Sequence, residues 1–208
     1  MNQLDAYMQK KKFPIQLQHR LKYFYTKKFR KFYYREDEIM EILSEPLQRE
    51  ILINTGQLFV ERVEIFKNIP KSLVSKIAVS CKKEEFLPND LIVRAGSSGD
   101  CMFFIGSGTV CVATTSGREI CHLEDGDHFG EIALILKSNK RIATVTAIEF
   151  CEIYILDYAS YMKNLHPNNM ILQQLTVTAN QRMKMVLKAE EEQRQQLNEK
   201  INRQSLNN

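Results

Sequence analysis

The chain has 208 residues, 44% hydrophobic and 26% charged, a composition that supports one domain with a proper core plus a smaller helical region. No apolar run approaches the roughly 18 residues that span a bilayer, and the opening MNQLDAYMQKKK lacks the apolar stretch of a secretory signal. The net charge of +4 hides an asymmetry, because residues 1–35 hold ten Lys or Arg against one acid, Asp5, and the remainder holds 19 bases against 24 acids.

Residues 1–80 read as helices. Leu4, Tyr7 and Met8 recur at helical spacing until Phe13-Pro14, where proline disfavours helix at the residue before it. From Ile15 to Tyr34, apolar Leu17, Leu21, Phe24, Tyr25, Phe29 and Phe32 make an aromatic stripe opposite Lys and Arg. This basic first sixth suits an anionic lipid surface or acidic protein faces, or is simply a solvated face paired with acids elsewhere. Glu36 to Leu43 predicts a short helix. Ser44 is placed to cap the next, with Pro46 in its first turn and a break at Thr55-Gly56. Leu58 to Arg62 reads as a short turn, and Ser72 to Cys81 as a further helix.

At about residue 82 the period changes. Short apolar runs alternate with turn residues: 85–87, 91–93, 102–105, 109–113, 120–123, 143–147 and 151–156. This is the pattern of an antiparallel barrel or jelly roll. Its five cysteines (Cys81, Cys101, Cys111, Cys121, Cys151) form no C-x-x-C pair, and they read as small buried apolar residues. Cys121, His122 and His128 lack zinc-site spacing. From Asp157 the chain turns helical again. Asn168 or Asn169 caps a long helix whose apolar positions include Leu172, Leu175, Ala179, Met183, Val186 and Leu187, and residues 189–208 read as a solvated helix end or tail.

The informative stretch is Phe129-Gly130-Glu131-Ile132-Ala133-Leu134, followed after six residues by Arg141-Ile142-Ala143-Thr144-Val145. A glycine at the start of a helical turn lets backbone approach a ligand and leaves N–H groups pointing outward, which suits a phosphate. The planar fork of Arg141 can bind phosphate oxygens in bidentate fashion, and Glu131 can accept from sugar hydroxyls. A glycine turn beside a structural Glu–Arg pair is the blander reading of the same residues.

The order of these residues resembles the phosphate-binding cassette of the cyclic-nucleotide-binding domain family, F-G-E-(I/L)-A-L then R-(T/A)-A-(T/S)-V. The flanking YMQKKKFPIQLQHRLKYFYTKKF and EIMEILSEPLQREI resemble the C-linker of hyperpolarization-activated and cyclic-nucleotide-gated channels, the hyperpolarization-activated group being closer. The resemblance covers roughly residues 4–187. It implies an α+β architecture: a helical C-linker over residues 1–66, then a cyclic-nucleotide-binding domain over 67–188. That domain would be an antiparallel jelly-roll barrel with flanking helices and a C-terminal lid helix. The implied regulatory ligand is cAMP or cGMP, with no cofactor and no metal. The implied setting is the cytoplasmic side of a membrane, in a homotetramer or heterotetramer assembled through residues 1–66 beneath a transmembrane pore domain.

The resemblance also implies roles. Gly130, Ile132 and Ala133 would line the turn that receives phosphate and ribose, and Glu131 would bind the 2′-hydroxyl. Arg141 would pair with the cyclic phosphate, helped by the backbone N–H of Ile142 or Ala143. Val112 and Met102 would form apolar wall near the base, and Arg182, Met183 and Val186 would cover the purine. Ile142 departs from the pattern: channels of the family usually carry Thr there, whose hydroxyl favours guanine. Its absence predicts weaker binding of cGMP than of cAMP, while the added bulk of Ile142 near the base works against cAMP as well. Only about twenty mostly polar residues follow the lid helix, so no helix-turn-helix for nucleic acid is expected. A single cassette argues against a kinase regulatory subunit. No nucleophile–base pair or carboxylate dyad marks an enzyme. A module of the same fold that binds no nucleotide and serves assembly is the remaining alternative.

Overall fold

The computed structural model describes residues 2–30, 36–60, 62–67, 69–136 and 139–205. The chain divides into two compact units, residues 1–48 and 49–208. In the first, α1 (Asn2–Lys10) and α2 (Ile15–Arg30) meet at the expected break. There Gln18 Nε2 donates to the Phe13 carbonyl at 2.8 Å, the Tyr7 and Phe13 rings meet edge to face, and Lys22 pairs with Asp5 at 2.8 Å. Ile15, Leu17, Tyr23 and Tyr25 are exposed along α2. The expected continuation through Phe32 to Tyr34 and the side chain of Phe29 lie outside the described residues. A short α3 (Glu36–Ile42) follows.

The next helix, α4 (Glu45–Val60), differs from expectation: it runs through Thr55-Gly56 without a break and takes in the expected turn from Leu58. Packing supplies the reason. A Cβ on Gly56 would sit 2.3 Å from the Cβ of Ala78, on α5 (Lys71–Ser80). Glycine here permits close helix approach rather than ending a helix. The expected junction at residues 66/67 also falls inside the second unit, because Val63, Ile65 and Phe66, around a 3-10 turn, belong to its core.

Among the described residues, eight strands follow in two antiparallel sheets: β1 (Lys82–Phe86), β2 (Leu91–Val93), β3 (Cys101–Ser107), β4 (Val110–Ala113), β5 (Glu119–Leu123), β6 (His128–Phe129), β7 (Thr144–Ala147) and β8 (Cys151–Asp157). Their orders are β1-β8-β3-β6 and β2-β7-β4-β5, a jelly-roll-like arrangement. The two-residue β6 was too short to be legible as an apolar run. Between β6 and β7 lies α6 (Glu131–Ile135), and after β8 come α7 (Tyr158–Asn164) and α8 (Asn169–Ser205). The Asp157 carboxylate accepts from the Ser160 N–H and caps α7, and Asn168 Oδ1 accepts from Met170 and Ile171 N–H at the start of α8.

Strand β3 shows how the period of two builds both cores. Phe103 and Ile105 point between the sheets, among Val110, Phe129, Val145 and Ile153. Met102 and Phe104 point the other way, into a cluster with Phe66, Ile77, Leu156, Tyr161, Ile171 and Leu175. One sheet is thus apolar on both faces, and its strands read as continuous apolar runs. All five cysteines are free, and burial pushes the Cys81 thiol up to about 12.

Helix α8 buries Ile171, Leu175, Ala179, Val186 and Ala189, a stripe at helical spacing, but leaves Leu187 exposed, against the expected apolar face. It also runs past the expected tail boundary at 188/189. Arg118, in the β4–β5 turn, donates to the Ala189 carbonyl at 3.1 Å and to Glu192 at 2.6 Å, while Thr115 and Ser116 donate to Glu190 and Gln193.

Candidate functional site

The site begins where β6 delivers Phe129 to Gly130. Gly130 has φ +84°, in the left-handed region, and a Cβ there would lie 2.6 Å from Arg141 Nη1 and 3.0 Å from the Phe103 ring. Only glycine meets both demands, and α6 starts at the next residue with Glu131, Ile132, Ala133 and Leu134 buried. Arg141 is anchored opposite by its backbone: its N–H donates to the Ser97 carbonyl and its carbonyl accepts from the Gly96 N–H. Its guanidinium donates to the Gly130 carbonyl at 2.9 Å and to Cys101 Sγ at 3.2 Å, and lies over the Phe103 ring at 5.1 Å. Phe103 in turn stacks on Phe129, centroids 4.8 Å apart. The cation is therefore held by a stacked column and two acceptors, and is only 7% exposed.

Glu131 is 1% exposed. Its Oε1 accepts from Arg182 Nη1 of α8 at 3.1 Å, and its Oε2 has no hydrogen-bond partner among the described residues. Burial pushes its carboxyl above the usual range, and the Arg182 and Arg141 guanidinium groups oppose that rise. A buried carboxylate oxygen without a donor is a costly feature unless a ligand hydroxyl supplies one. Arg182 Nη1 also donates to the His128 carbonyl at 2.6 Å. The His128 ring turns away from the site toward Phe104, and burial, with Arg182 nearby, lowers its pKa to about 3.

These groups close one end of a pocket enclosing about 600 Å³ of space, open mouth included. Gly130, Glu131, Ile132, Ala133, Arg141, Ile142, Ala143, Val112, Arg182 and Val186 all line it. Two expected residues do not. Met102 faces the helical cluster with no exposed surface, because its neighbours Cys101 and Phe103 take the other side of β3. Met183 does not line it, whereas Met185, three residues after Arg182 and so on the same helix face, does. Unforeseen wall residues are Val93, Ile120, Cys121, Leu123 and Val145. Cys121 was within reach of pattern reasoning, since it stands opposite Val112 in the β4–β5 register. The Cys101 contact with Arg141 had no sequence signal.

Residues 83–168 match the cyclic nucleotide-binding domain family. Among curated proteins, the chain is 34% identical over 154 residues to the human potassium/sodium hyperpolarization-activated cyclic nucleotide-gated channel 3. That match covers 74% of this chain and 20% of the channel. It is 32% identical over 159 residues to channel 4 of the same series from Oryctolagus cuniculus, covering 76% of this chain and 13% of that one. The chain thus spans a fifth or less of these relatives' length. Among solved structures, cAMP-bound PfPKA-R superposes with a TM-score of 0.59 at 26% identity, over 64% of this chain and 46% of that one. A PKAR CBD2 with Sp-2Cl-cAMPS bound gives 0.60 at 26% identity, over 68% and 93%.

Proposed function

From a chain that carries a cyclic nucleotide-binding domain related to those of hyperpolarization-activated channels, we propose a sensor that binds cAMP in preference to cGMP and relays its occupancy to a cation pore. The observation that carries the reading is the convergence of Arg141 and Glu131 at one end of an apolar pocket, with one Glu131 oxygen lacking a donor. Arg141 takes the cyclic phosphate, beside the backbone of the Gly130 turn. Glu131 accepts from the ribose hydroxyl, and the apolar walls at Val112, Ile142 and Val186 enclose the base. The buried guanidinium is already aimed before ligand arrives, so little ordering cost remains for the phosphate. Ile142 offers no hydroxyl to a guanine amino group, which supports the cAMP preference. The ligand is an effector, and no chemical step is assigned to the site.

The relay and assembly are part of the same proposal. The exposed apolar residues Ile15, Leu17, Tyr23 and Tyr25 of α2 support assembly into a homotetramer or heterotetramer through residues 1–66. The basic character of residues 1–35 suits a position at the cytoplasmic side of a membrane, near anionic lipid. Among the described residues no helix is long and apolar enough to cross a membrane. Titration calorimetry with cAMP and cGMP tests the reading: cAMP binds with the higher affinity. Equal affinities overturn the preference. No binding of either nucleotide favours the assembly module instead.

A further inference from the structure

On the outer face of the β4–β5 hairpin, away from the pocket, three metal-ligating side chains converge. The ligand atoms of Cys111, Glu119 and His122 all lie within 4.8 Å of one another. Cys111 and His122 are directly opposed in the strand register, and Glu119 stands opposite Ala113. In a regular strand Glu119 and His122, three residues apart, would point to opposite faces. A β-bulge between Val112 and Ala113 makes Ile120 the extra residue of β5, so Glu119 comes round to the His122 side. Ile120 and Cys121 then both face the pocket. The three ligands are therefore brought together by one irregularity in the hairpin.

We propose that Cys111, Glu119 and His122 form a binding site for a borderline divalent cation of the zinc class. The donor set is one thiolate sulfur, one imidazole nitrogen and one carboxylate oxygen, with water completing a tetrahedron. Magnesium and calcium prefer oxygen throughout, so the sulfur and nitrogen select against them. His122 Nε2 lies 3.9 Å from Glu119 Oε2; a tetrahedral zinc centre with bonds of about 2.0–2.3 Å sets its ligand atoms roughly 3.3–3.7 Å apart, so the two exposed side chains close by about half an ångström on binding. The two side chains are exposed, so the cation has open access. On binding, the Cys111 S–H bond breaks, the thiolate keeps the electron pair and the proton passes to solvent. Burial and the facing Glu119 carboxylate raise the free thiol's pKa, and the cation replaces the proton between the two groups. An ion here would tie β4 to β5 directly behind the wall formed by Val112 and Cys121.

Cobalt(II) reports on such a site because thiolate ligation gives a charge-transfer band in the near ultraviolet. The full chain, kept reduced, is titrated with cobalt chloride and then with zinc. The expected result is a band that saturates at one equivalent and is bleached by zinc. Cys111→Ser should abolish it, and Cys121→Ser, on the opposite face, should retain it. His122→Gln and Glu119→Gln should each weaken cobalt binding by roughly tenfold or more, as loss of one of three ligands requires. Circular dichroism confirms that each variant is folded. Absence of a band in the native chain overturns the proposal. So does a band that survives Cys111→Ser, or one lost there but unchanged in both His122→Gln and Glu119→Gln, which is a lone thiolate only.

Discussion

The Arg141 cassette and the helix α8 that packs on it are held on different principles. At the Arg141 end, contacts are close and reinforced by backbone: a left-handed glycine, a guanidinium bonded to its carbonyl, and two stacked phenylalanines. Along α8, side chains reach across long stretches of sequence, with Arg182 to Glu131 and His128, and, outside the pocket, Arg118, Thr115 and Ser116 to residues 189–193. The first end can hold an anion without rearranging. Residues 189–193 of α8 are held by a few polar bonds near solvent, each individually weak, and a ligand that gains contacts with α8 can bias them. In the proposed function, recognition belongs to the first and response to the second.

The strongest way to break this division is to remove the charge at the rigid end. Arg141→Glu sets like charge against the cyclic phosphate and leaves α8 untouched. Removing one partner of a desolvated charge pair costs on the order of 2–5 kcal/mol, so calorimetry should show cAMP binding lost while circular dichroism stays native. Unchanged cAMP affinity would take Arg141 out of the site.

The same division explains what was legible in the sequence. The Arg141 end is local: Gly130, Glu131 and the following helix are contiguous, and Arg141 returns eleven residues after Gly130, so a motif captures it. The strands were readable from their spacing of apolar runs, apart from β6, which has two residues. Met102 was misassigned because β3 is apolar on both faces, and a continuous run M-F-F-I carries no alternation to say which residue faces the pocket. Gly56 was read as a break because glycine marks both helix ends and close packing, and only its contact with Ala78 distinguishes them. On α8, Met185 lines the pocket in place of Met183, two residues away, because each residue of register rotates a side chain by about 100° around a helix. The clasp between the hairpin and residues 189–193 left no mark, because Arg118 and its acceptors are ordinary surface residues until the fold brings them together.

His128 joins the two ends, with its carbonyl bonded to Arg182 and its ring buried beside Phe104. Its pKa is depressed from 6.5 to about 3 in the folded chain, by burial first and Arg182 second. The unfolded chain therefore takes up the proton near 6.5, whereas the folded chain resists it down to about 3. Stability from this group is full above pH 6.5 and is lost as pH falls through that window, at no more than about 1.4 kcal/mol per pH unit. Thermal unfolding between pH 7 and pH 4 should show a falling midpoint, and His128→Gln should flatten that fall. An equal slope in the variant would assign the acid sensitivity to other groups.

The smallest expected effect lies at the clasp. Arg118 holds α8 by two bonds, one to a backbone carbonyl and one to Glu192, and it is about one-third exposed. Partly exposed pairs of this kind contribute no more than about 1 kcal/mol. Arg118→Ala should therefore lower cAMP affinity only a few-fold, about the factor that 1 kcal/mol allows, chiefly through faster dissociation. Arg141 and Glu131 are left in place, so binding is weakened without being lost. Hydrogen exchange locates the change. In the native chain, saturating cAMP should slow exchange in residues 175–190, and Arg118→Ala should speed exchange there without ligand while the strands stay protected. The buried anchors Ile171 and Leu175 keep the start of α8 in place, so loss of protection should increase toward residue 190. If residues 175–190 exchange equally with and without cAMP, α8 is a fixed part of the core. The response to nucleotide must then leave the pocket by another route.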